Sequence, residues 1–126
     1  MKNSYAGQLL RVDLTRLRIT NEKIPREVFE KFIGGRGLNA WILWRELRPR
    51  TEPFSQKNPL IISAGAFGGT FAPSSGRLTL TSKSPATGFY CKTSTGGHFA
   101  PELKIAGYDA IVVNGASEKP VYLTIF

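Results

Sequence analysis

Residues 65–97 contain the most restrictive feature of this sequence, two glycine-rich segments on either side of a short alternating run. The first segment, GAFGGTFAPSSG, spans residues 65–76, and the second ends in TGG at residues 95–97. Neither segment is predicted to be helical, because glycine loses more backbone freedom on folding than any other residue. From Arg77 to Thr81, apolar and polar side chains alternate as in a half-buried strand. The sequence therefore predicts β structure whose turns bring bare backbone to the surface.

The rest of the chain predicts an alternation of strands and helices. Apolar residues alternate with polar ones in strand-like runs and recur every three or four positions in helical ones. The second predicted helix carries Trp41 and Trp44, which we expect in the core. The order is that of an α+β fold, with β-rich sheets and three short helices. The predicted elements are strands at 10–14 and 17–20, helices at 25–33 and 38–47, strands at 60–62 and 77–81, a strand that begins at 89–91 and stops at 95–97, a helix from 101 to 106, and strands at 111–113 and 121–125.

The size of the chain predicts one domain, residues 1–126, with a hydrophobic core of its own. No window approaches the ~20 continuous apolar residues of a membrane span, and no hydrophobic stretch of a signal peptide follows Met1. We therefore expect a cytoplasmic protein without a membrane partner. Because the strand-like pattern at 121–125 runs to Phe126 with no polar tail, we also expect the chain to be part of something longer.

Charge and cysteine content narrow the classes of partner. Seventeen Lys and Arg against nine Asp and Glu give a formal charge of +8, which favours nucleic acid, membrane phosphate or a phosphate-bearing cofactor. Cys91 is the only cysteine, so the chain cannot form an internal disulfide. For the same reason it cannot build a zinc or iron–sulfur site from its own thiolates.

Arg77 and the glycine turns around it are the candidate binding site. Successive peptide N–H groups in a glycine turn make a concave anion site, and a guanidinium beside them pairs two acceptors at once. In the plainer interpretation the glycines only serve tight turns and Arg77 is a solvated charge, and composition alone favours that one. Known phosphate loops do not fit, since Gly69 is followed by Thr70 without a Lys and the glycines at 34–37 follow a helix rather than a strand.

Four other reactive residues are assigned no chemistry. His98 has no second ligand-type residue at useful spacing, so we expect a structural or surface role. Glu102 and Asp109 occupy ordinary positions near helix ends, where acids stabilise the backbone. Cys91 lies in a strand-like run and is predicted to be a small buried apolar residue.

Several longer runs of residues carry a family resemblance. They are GGRGL at 34–38, APSSGR at 72–77 and TSKSPATGF at 81–89, supported by GQLLRVDLT at 7–15 and ELKIAGYDAI at 102–111. Together they closely resemble the N-terminal region of tungsten-containing aldehyde:ferredoxin oxidoreductases, in register over nearly the whole chain. The resemblance implies a domain that forms the base for two pterin dithiolenes, which hold one tungsten or, in some relatives, molybdenum.

The resemblance also implies which residues meet this tungstopterin. Arg77 is expected to contact the pterin and to lie near the iron–sulfur cluster. Ser94, Thr95, Gly96 and Gly97 form the turn whose backbone meets the pterin and the Mg²⁺ that bridges the pterin phosphates, with the Ser94 carbonyl as the metal ligand. The family often has Asn where this chain has Ser94, and often reads Pro-Leu-Thr where this chain has AFG at 66–68. No catalytic residue is implied in this chain.

The implied activity belongs to a larger assembly. In such an enzyme an aldehyde and water give a carboxylic acid, and two electrons pass through a [4Fe–4S] cluster to ferredoxin. The cluster-ligating cysteines belong to helical domains that this chain lacks, so we expect the 126 residues alone to be inactive and to need those domains or a partner subunit. Because the family's N-terminal domain contains two similar halves, a further hypothesis is that two copies of this chain associate.

A basic nucleic-acid-binding or phosphate-binding module without catalysis is the alternative function. It is motivated by the charge of +8 and by Tyr90, Lys92 and His98 near the glycine turns. The basic residues are scattered along the chain rather than clustered, which weakens this alternative.

Overall fold

The computed structural model describes residues 4–126, which form one six-stranded mixed sheet with helices on both faces. The strand order is β2-β1-β6-β3-β4-β5, in which β1 and β6 run parallel and every other neighbouring pair is antiparallel. The predicted α+β fold is confirmed. Residues 1–3 lie outside the described residues. They belong to the predicted domain 1–126 and to the N-terminus in which no signal peptide is predicted. The elements are β1 Gln8–Asp13, β2 Arg18–Lys23, α1 Arg26–Phe32, α2 Arg36–Glu46, β3 Leu60–Ala64, β4 Leu78–Lys83, β5 Tyr90–Thr95, α3 Phe99–Ile105 and β6 Ala110–Asn114.

The central strands are apolar on both sides because both faces of the sheet are covered. In β1, Leu9 packs in the cluster on the α1–α2 face, whereas Leu10 packs in a second cluster with Leu103 of α3. In β6, Val112 and Ile111 divide between the same two clusters. Each such side chain, fully buried, stabilises the fold by roughly 1.5–3 kcal/mol. No helix among residues 4–126 is long and apolar enough to span a membrane.

Helices α1 and α2 cover the largest of three hydrophobic clusters. They present apolar residues at helical spacing to the sheet, and a ring of Tyr5 stacks on Phe29 with 4.2 Å between centroids. A seven-residue α3 covers part of the opposite face, where the last residues of the chain add Ile125. The helical residues buried in the largest cluster are Val28, Phe29, Leu38, Ile42 and Leu43.

The strand predicted at 121–125 is wrong. Residues 120–126 follow β6 without joining the sheet. A hairpin across Asn114 and Gly115 would need an open edge on β6, but β6 is already paired with β1 on one side and β3 on the other. The open edges of the sheet are β2 and β5, and neither adjoins the end of β6.

Two burial predictions are also wrong. Trp44 is 89% exposed, because the face of α2 that meets the sheet is defined by Leu38, Ile42 and Leu43, and Trp44 points away from it. Trp41 is half-buried and lies beneath the guanidinium of Arg45. Cys91 is exposed because β5 is an edge strand whose side chains are mostly open to solvent.

A buried ion pair joins three separate parts of the chain. Lys104 of α3 contacts Asp109 through its Nζ and Oδ1 atoms, with only 7% and 3% of the two side chains exposed. The backbone N–H of Gly7 donates to Oδ2 of Asp109 at 2.6 Å. Asp109 therefore fixes the segment before β1 and the end of α3 at the start of β6. The sequence placed Asp109 at an ordinary helix-end position and missed this role.

We expect Asp109→Asn to lower the free energy of unfolding by about 3–5 kcal/mol, because it leaves the buried Lys104 ammonium without its counter-charge. Urea denaturation followed by circular dichroism measures the change. Glu30→Gln is the matched control, since its pair with Arg26 is exposed and its loss costs less than about 1 kcal/mol. Equal free energies of unfolding for the two variants would contradict the proposed contribution of the Asp109–Lys104 pair to stability.

The connection between α1 and α2 admits no side chain at Gly37. A Cβ built there would lie 2.2 Å from the carbonyl oxygen of Phe32. Before it, Gly34 and Gly35 have φ of 155° and 51°, so the chain reverses within a few residues. The start of α2 is therefore fixed against the end of α1 by close backbone contact.

We expect Gly37→Ala to destabilise the fold by about 1–3 kcal/mol, because the added methyl group forces the two helices apart. A thermal melt followed by circular dichroism tests this. Gly65→Ala is the control, since nothing lies within 4 Å of a Cβ at that position. A Gly37→Ala variant as stable as Gly65→Ala would show that the connection tolerates bulk.

Candidate functional site

The register of β4 and β5 brings the predicted site residues together. Leu78 at the start of β4 pairs with Thr95 at the end of β5, so Arg77 lies beside Gly96 at the same end of the ladder. A Cβ on Gly76 would lie 2.6 Å from the carbonyl oxygen of Gly97, so the two turns touch through their backbones. We call the group formed by Arg77, Ser94, Thr95, Gly96 and Gly97 the Arg77 patch.

The backbone of the Arg77 patch is accessible. Arg77, Thr95, Gly96 and Gly97 are all exposed. No atom lies within 4 Å of the position that a Cβ would take on Gly96 or Gly97, so the space beside both peptides is open. Peptide groups in such a turn can approach a ligand without steric hindrance.

Ser94 contributes a polar atom that the fold leaves unsatisfied. Its Oγ is buried and has no hydrogen-bond partner within residues 4–126. Buried hydroxyls nearly always have a partner, so a lone one calls for a bound group or an ordered water. With the guanidinium of Arg77 and the open peptides, the patch offers the donors and acceptors that an anionic, hydrogen-bonding pterin requires. The residues present fit that group.

The start of α2 lies next to this patch. A Cβ on Gly35 would be 3.6 Å from Oγ1 of Thr79, and Thr79 is the strand partner of Ser94. The carbonyl of Gly35 accepts a hydrogen bond from Oγ of Ser63, and that of Arg36 accepts one from the Tyr90 hydroxyl. These contacts hold the positive end of the α2 dipole above the sheet near Ser94. Sequence reasoning rejected the glycines at 34–37 as a dinucleotide loop, because they follow a helix, and otherwise used them only for the family resemblance; it did not place them near Arg77.

Some arginines are neutralised by ion pairs within the described residues, whereas Arg77 is not. Arg11 and Arg45 contact Glu22 and Glu46 at one side of the molecule. Burial acts to raise the pKa of Glu22, but hydrogen bonds from both arginines outweigh it and hold the pKa below its usual value. Within residues 4–126, Arg77 makes no ion pair. Its charge is therefore free for an anionic ligand.

The remaining candidate residues, His98 and Glu102, lie at the start of α3. His98 is exposed just before α3, as a surface role predicts, and Glu102 is exposed on that helix. No group of three or more His, Cys, Asp or Glu in the described part of the chain could hold a metal ion.

These features define the class of the protein: an α+β domain that presents a glycine-rich, cationic edge at one end of a mixed sheet. The family model described as "Aldehyde ferredoxin oxidoreductase, N-terminal domain" matches residues 9–126. The chain belongs to this family. The resemblance identified from the sequence is thereby confirmed.

Individual relatives agree with the family. The chain is 47% identical over 119 residues to the tungsten-containing aldehyde ferredoxin oxidoreductase of Pyrococcus furiosus, and 45% identical to that of Thermococcus kodakarensis, covering 94% of this chain in both cases. It is 38% identical to the WOR-like subunit of an aliphatic sulfonate oxidoreductase of P. furiosus over 97% of its length. The chain spans about one fifth of each of these relatives, 20% by length.

A solved structure shows the same fold. The active site complex BamBC of benzoyl coenzyme A reductase, in complex with 1,5-dienoyl-CoA, superimposes with a TM-score of 0.95 at 42% identity. The match covers 99% of this chain and 19% of that chain.

We expect Arg77→Gln to weaken binding of inorganic pyrophosphate to this chain by at least about tenfold, because a hydrogen bond to a charged group contributes roughly 1.5–3 kcal/mol. Titration followed by ¹H–¹⁵N NMR measures the affinity, with shifts expected at the amides of Gly96 and Gly97. Arg18→Gln, on the opposite edge strand β2, is the control and should leave the affinity unchanged. Unaltered binding by Arg77→Gln would remove Arg77 from the site.

Proposed function

We propose that this chain binds one side of a tungstopterin cofactor through the Arg77 patch, as part of a tungsten-containing oxidoreductase. The observation that carries the proposal is the pairing of Leu78 with Thr95, which sets an unpaired guanidinium beside open glycine peptides. The unsatisfied Oγ of Ser94 supports it. So does the family, whose relatives at 45–47% identity are named as tungsten-containing.

Four residues of the patch have a proposed role in binding. The Arg77 guanidinium binds phosphate or ring acceptors of the pterin and neutralises their charge. The peptide N–H groups at Gly96 and Gly97 donate to the same group, and the hydroxyl of Ser94 gains a partner. The carbonyl oxygen of Ser94 is a proposed ligand of Mg²⁺, a hard cation that prefers oxygen. None of these residues transfers a proton or an electron.

The proposed activity is oxidation of an aldehyde with water to a carboxylic acid, in the cytoplasm. When bound, the metal cofactor supplies the two-electron redox chemistry, and this chain contributes its position and electrostatic environment. We place the [4Fe–4S] cluster and the contact with ferredoxin in the domains or the partner subunit that complete the enzyme. The isolated chain is therefore inactive. Pairing of two copies of this chain is a further proposal, which sedimentation analysis of the purified chain tests.

The likeness to benzoyl coenzyme A reductase supports a cofactor-binding role rather than a substrate-selecting one. At 42% identity and a TM-score of 0.95, this chain is about as similar to that protein as to the aldehyde enzymes. The same domain thus occurs in proteins named for different substrates, which favours a cofactor-binding role for this chain and a substrate-selecting role for other domains. The Arg77 patch does not favour the nucleic-acid alternative, because the unpaired Arg18 and Arg77 lie far apart in the sheet, Arg18 on β2 and Arg77 directly before β4.

A side chain at Gly96 tests the cofactor proposal in the whole oxidoreductase. The position has open space and ordinary backbone geometry, so Gly96→Val should fold normally but fill the volume in which the cofactor lies. We expect tungsten or molybdenum content, measured by mass spectrometry, and released pterin, measured by fluorescence, to fall together by at least about tenfold. Ala116→Val, an exposed position beyond the end of β6 at the opposite end of the sheet, is the control and should keep both.

Two results would contradict the proposal. One is full loading of a folded Gly96→Val variant. The other is a wild-type protein that releases no pterin and contains neither tungsten nor molybdenum.

A further inference from the structure

A cleft at the other end of the β4–β5 ladder combines exposed aromatic rings with basic side chains. It lies between the second half of α2 and the turn that joins β4 to β5, and it encloses about 450 Å³. Lys83 pairs with Tyr90 there, five residues along β4 from Leu78, so the cleft is about 17 Å from the Arg77 patch. We call it the Trp44 cleft; the lining residues that matter are Trp44, Phe89, Tyr90, Arg48, Arg50 and Lys83.

The aromatic rings of the Trp44 cleft are exposed although they sit on ordered elements. Trp44 of α2 is 89% exposed and Phe89 is 76% exposed. Tyr90 is fixed in place, because its hydroxyl hydrogen-bonds with Oγ1 of Thr81 and donates to the carbonyl of Arg36. Adjacent exposed aromatic rings mark contact surfaces, since they offer large apolar area at a small cost in conformational entropy.

Every charged residue that lines the Trp44 cleft is basic. Arg48 and Arg50 are exposed and make no ion pair within the described residues 4–126. Lys83 donates from Nζ to the carbonyl of Thr51 at 2.7 Å. No carboxylate lines the cleft. A complementary occupant is therefore anionic at its rim and apolar at its centre.

We propose that the Trp44 cleft docks a partner protein through an acidic segment that carries a large apolar side chain. The apolar side chain would lie between Trp44 and Phe89, and carboxylates would pair with Arg48 and Arg50. A nucleotide also combines a ring with negative charge, and competition by ATP distinguishes it from such a segment. This inference does not depend on cofactor binding at the Arg77 patch.

A labelled acidic peptide tests the docking. The probe is a short fluorescein-labelled peptide with the core Asp-Glu-Phe-Glu-Asp, titrated with the 126-residue chain. We expect saturable binding that weakens with added salt, with a shift of the indole N–H resonance of Trp44 in NMR spectra. Replacing the peptide's phenylalanine with serine, or its acids with amides, should each weaken binding by about tenfold.

Variants of exposed residues locate the contact without disturbing the fold. Trp44→Ala and Arg48→Gln should each weaken peptide binding by about tenfold. The matched controls are Phe71→Ala, which removes an equally exposed ring elsewhere, and Arg18→Gln on β2. Both controls should bind the peptide as the wild type does.

Three outcomes would overturn the docking proposal. The first is unchanged binding by Trp44→Ala, and the second is equal binding of the amide peptide. The third is competition by ATP at lower concentration than the peptide, which would identify a nucleotide site. Because Trp44→Ala leaves the Arg77 patch intact, pyrophosphate binding by the same variant separates failure of this proposal from failure of the cofactor proposal.

Discussion

The position of β6 between β1 and β3 determines how the rest of the sheet is arranged. One row of paired residues crosses the sheet from Leu9 through Ala110, Ser63 and Thr79 to Ser94. Asp109 precedes Ala110 in that row, and its buried contacts with Lys104 and Gly7 fix β6 against α3 and β1. Since a slip of one residue would turn each strand over, the register set near Asp109 extends to the Arg77 patch at the far edge.

Sequence patterns predicted well those helices and strands that depend only on neighbouring residues. The alternation in β1 and β2 and the helical spacing that follows Pro25 were sufficient for those elements. The prediction of a strand at 121–125 was wrong because an apolar run does not show whether a neighbouring strand has a free edge. Strand β6 has no free edge, since it is paired on both sides. The prediction that Trp44 is buried was wrong for a related reason, since an apolar stretch on a short helix does not show which side of the helix meets the sheet. Pairing and orientation depend on residues distant in sequence.

The candidate site was predictable as a set of residues and only partly as a surface. Glycine content and resemblance selected Arg77 and the turn from Ser94 to Gly97, but their meeting depends on the antiparallel register of β4 and β5. No local pattern indicated that Oγ of Ser94 would be buried without a partner, or that Asp109 would bind Gly7 across 102 positions of sequence. The sequence identified chemistry-bearing residues, and the sheet supplied their geometry.

Glycine at 76 and at 96–97 links the shape of the patch to its chemistry. A Cβ on Gly76 would meet the Gly97 carbonyl at 2.6 Å, so any other residue there would push the two turns apart and move Arg77 from the open peptides. At Gly96 the constraint is the reverse, because the chain itself leaves room for a side chain. One glycine thus lets two backbones approach each other, whereas the other leaves space that the protein does not fill. A site for a bulky, hydrogen-bonding ligand needs both conditions, and their occurrence beside an unpaired guanidinium makes this edge the better candidate than any cavity inside the domain.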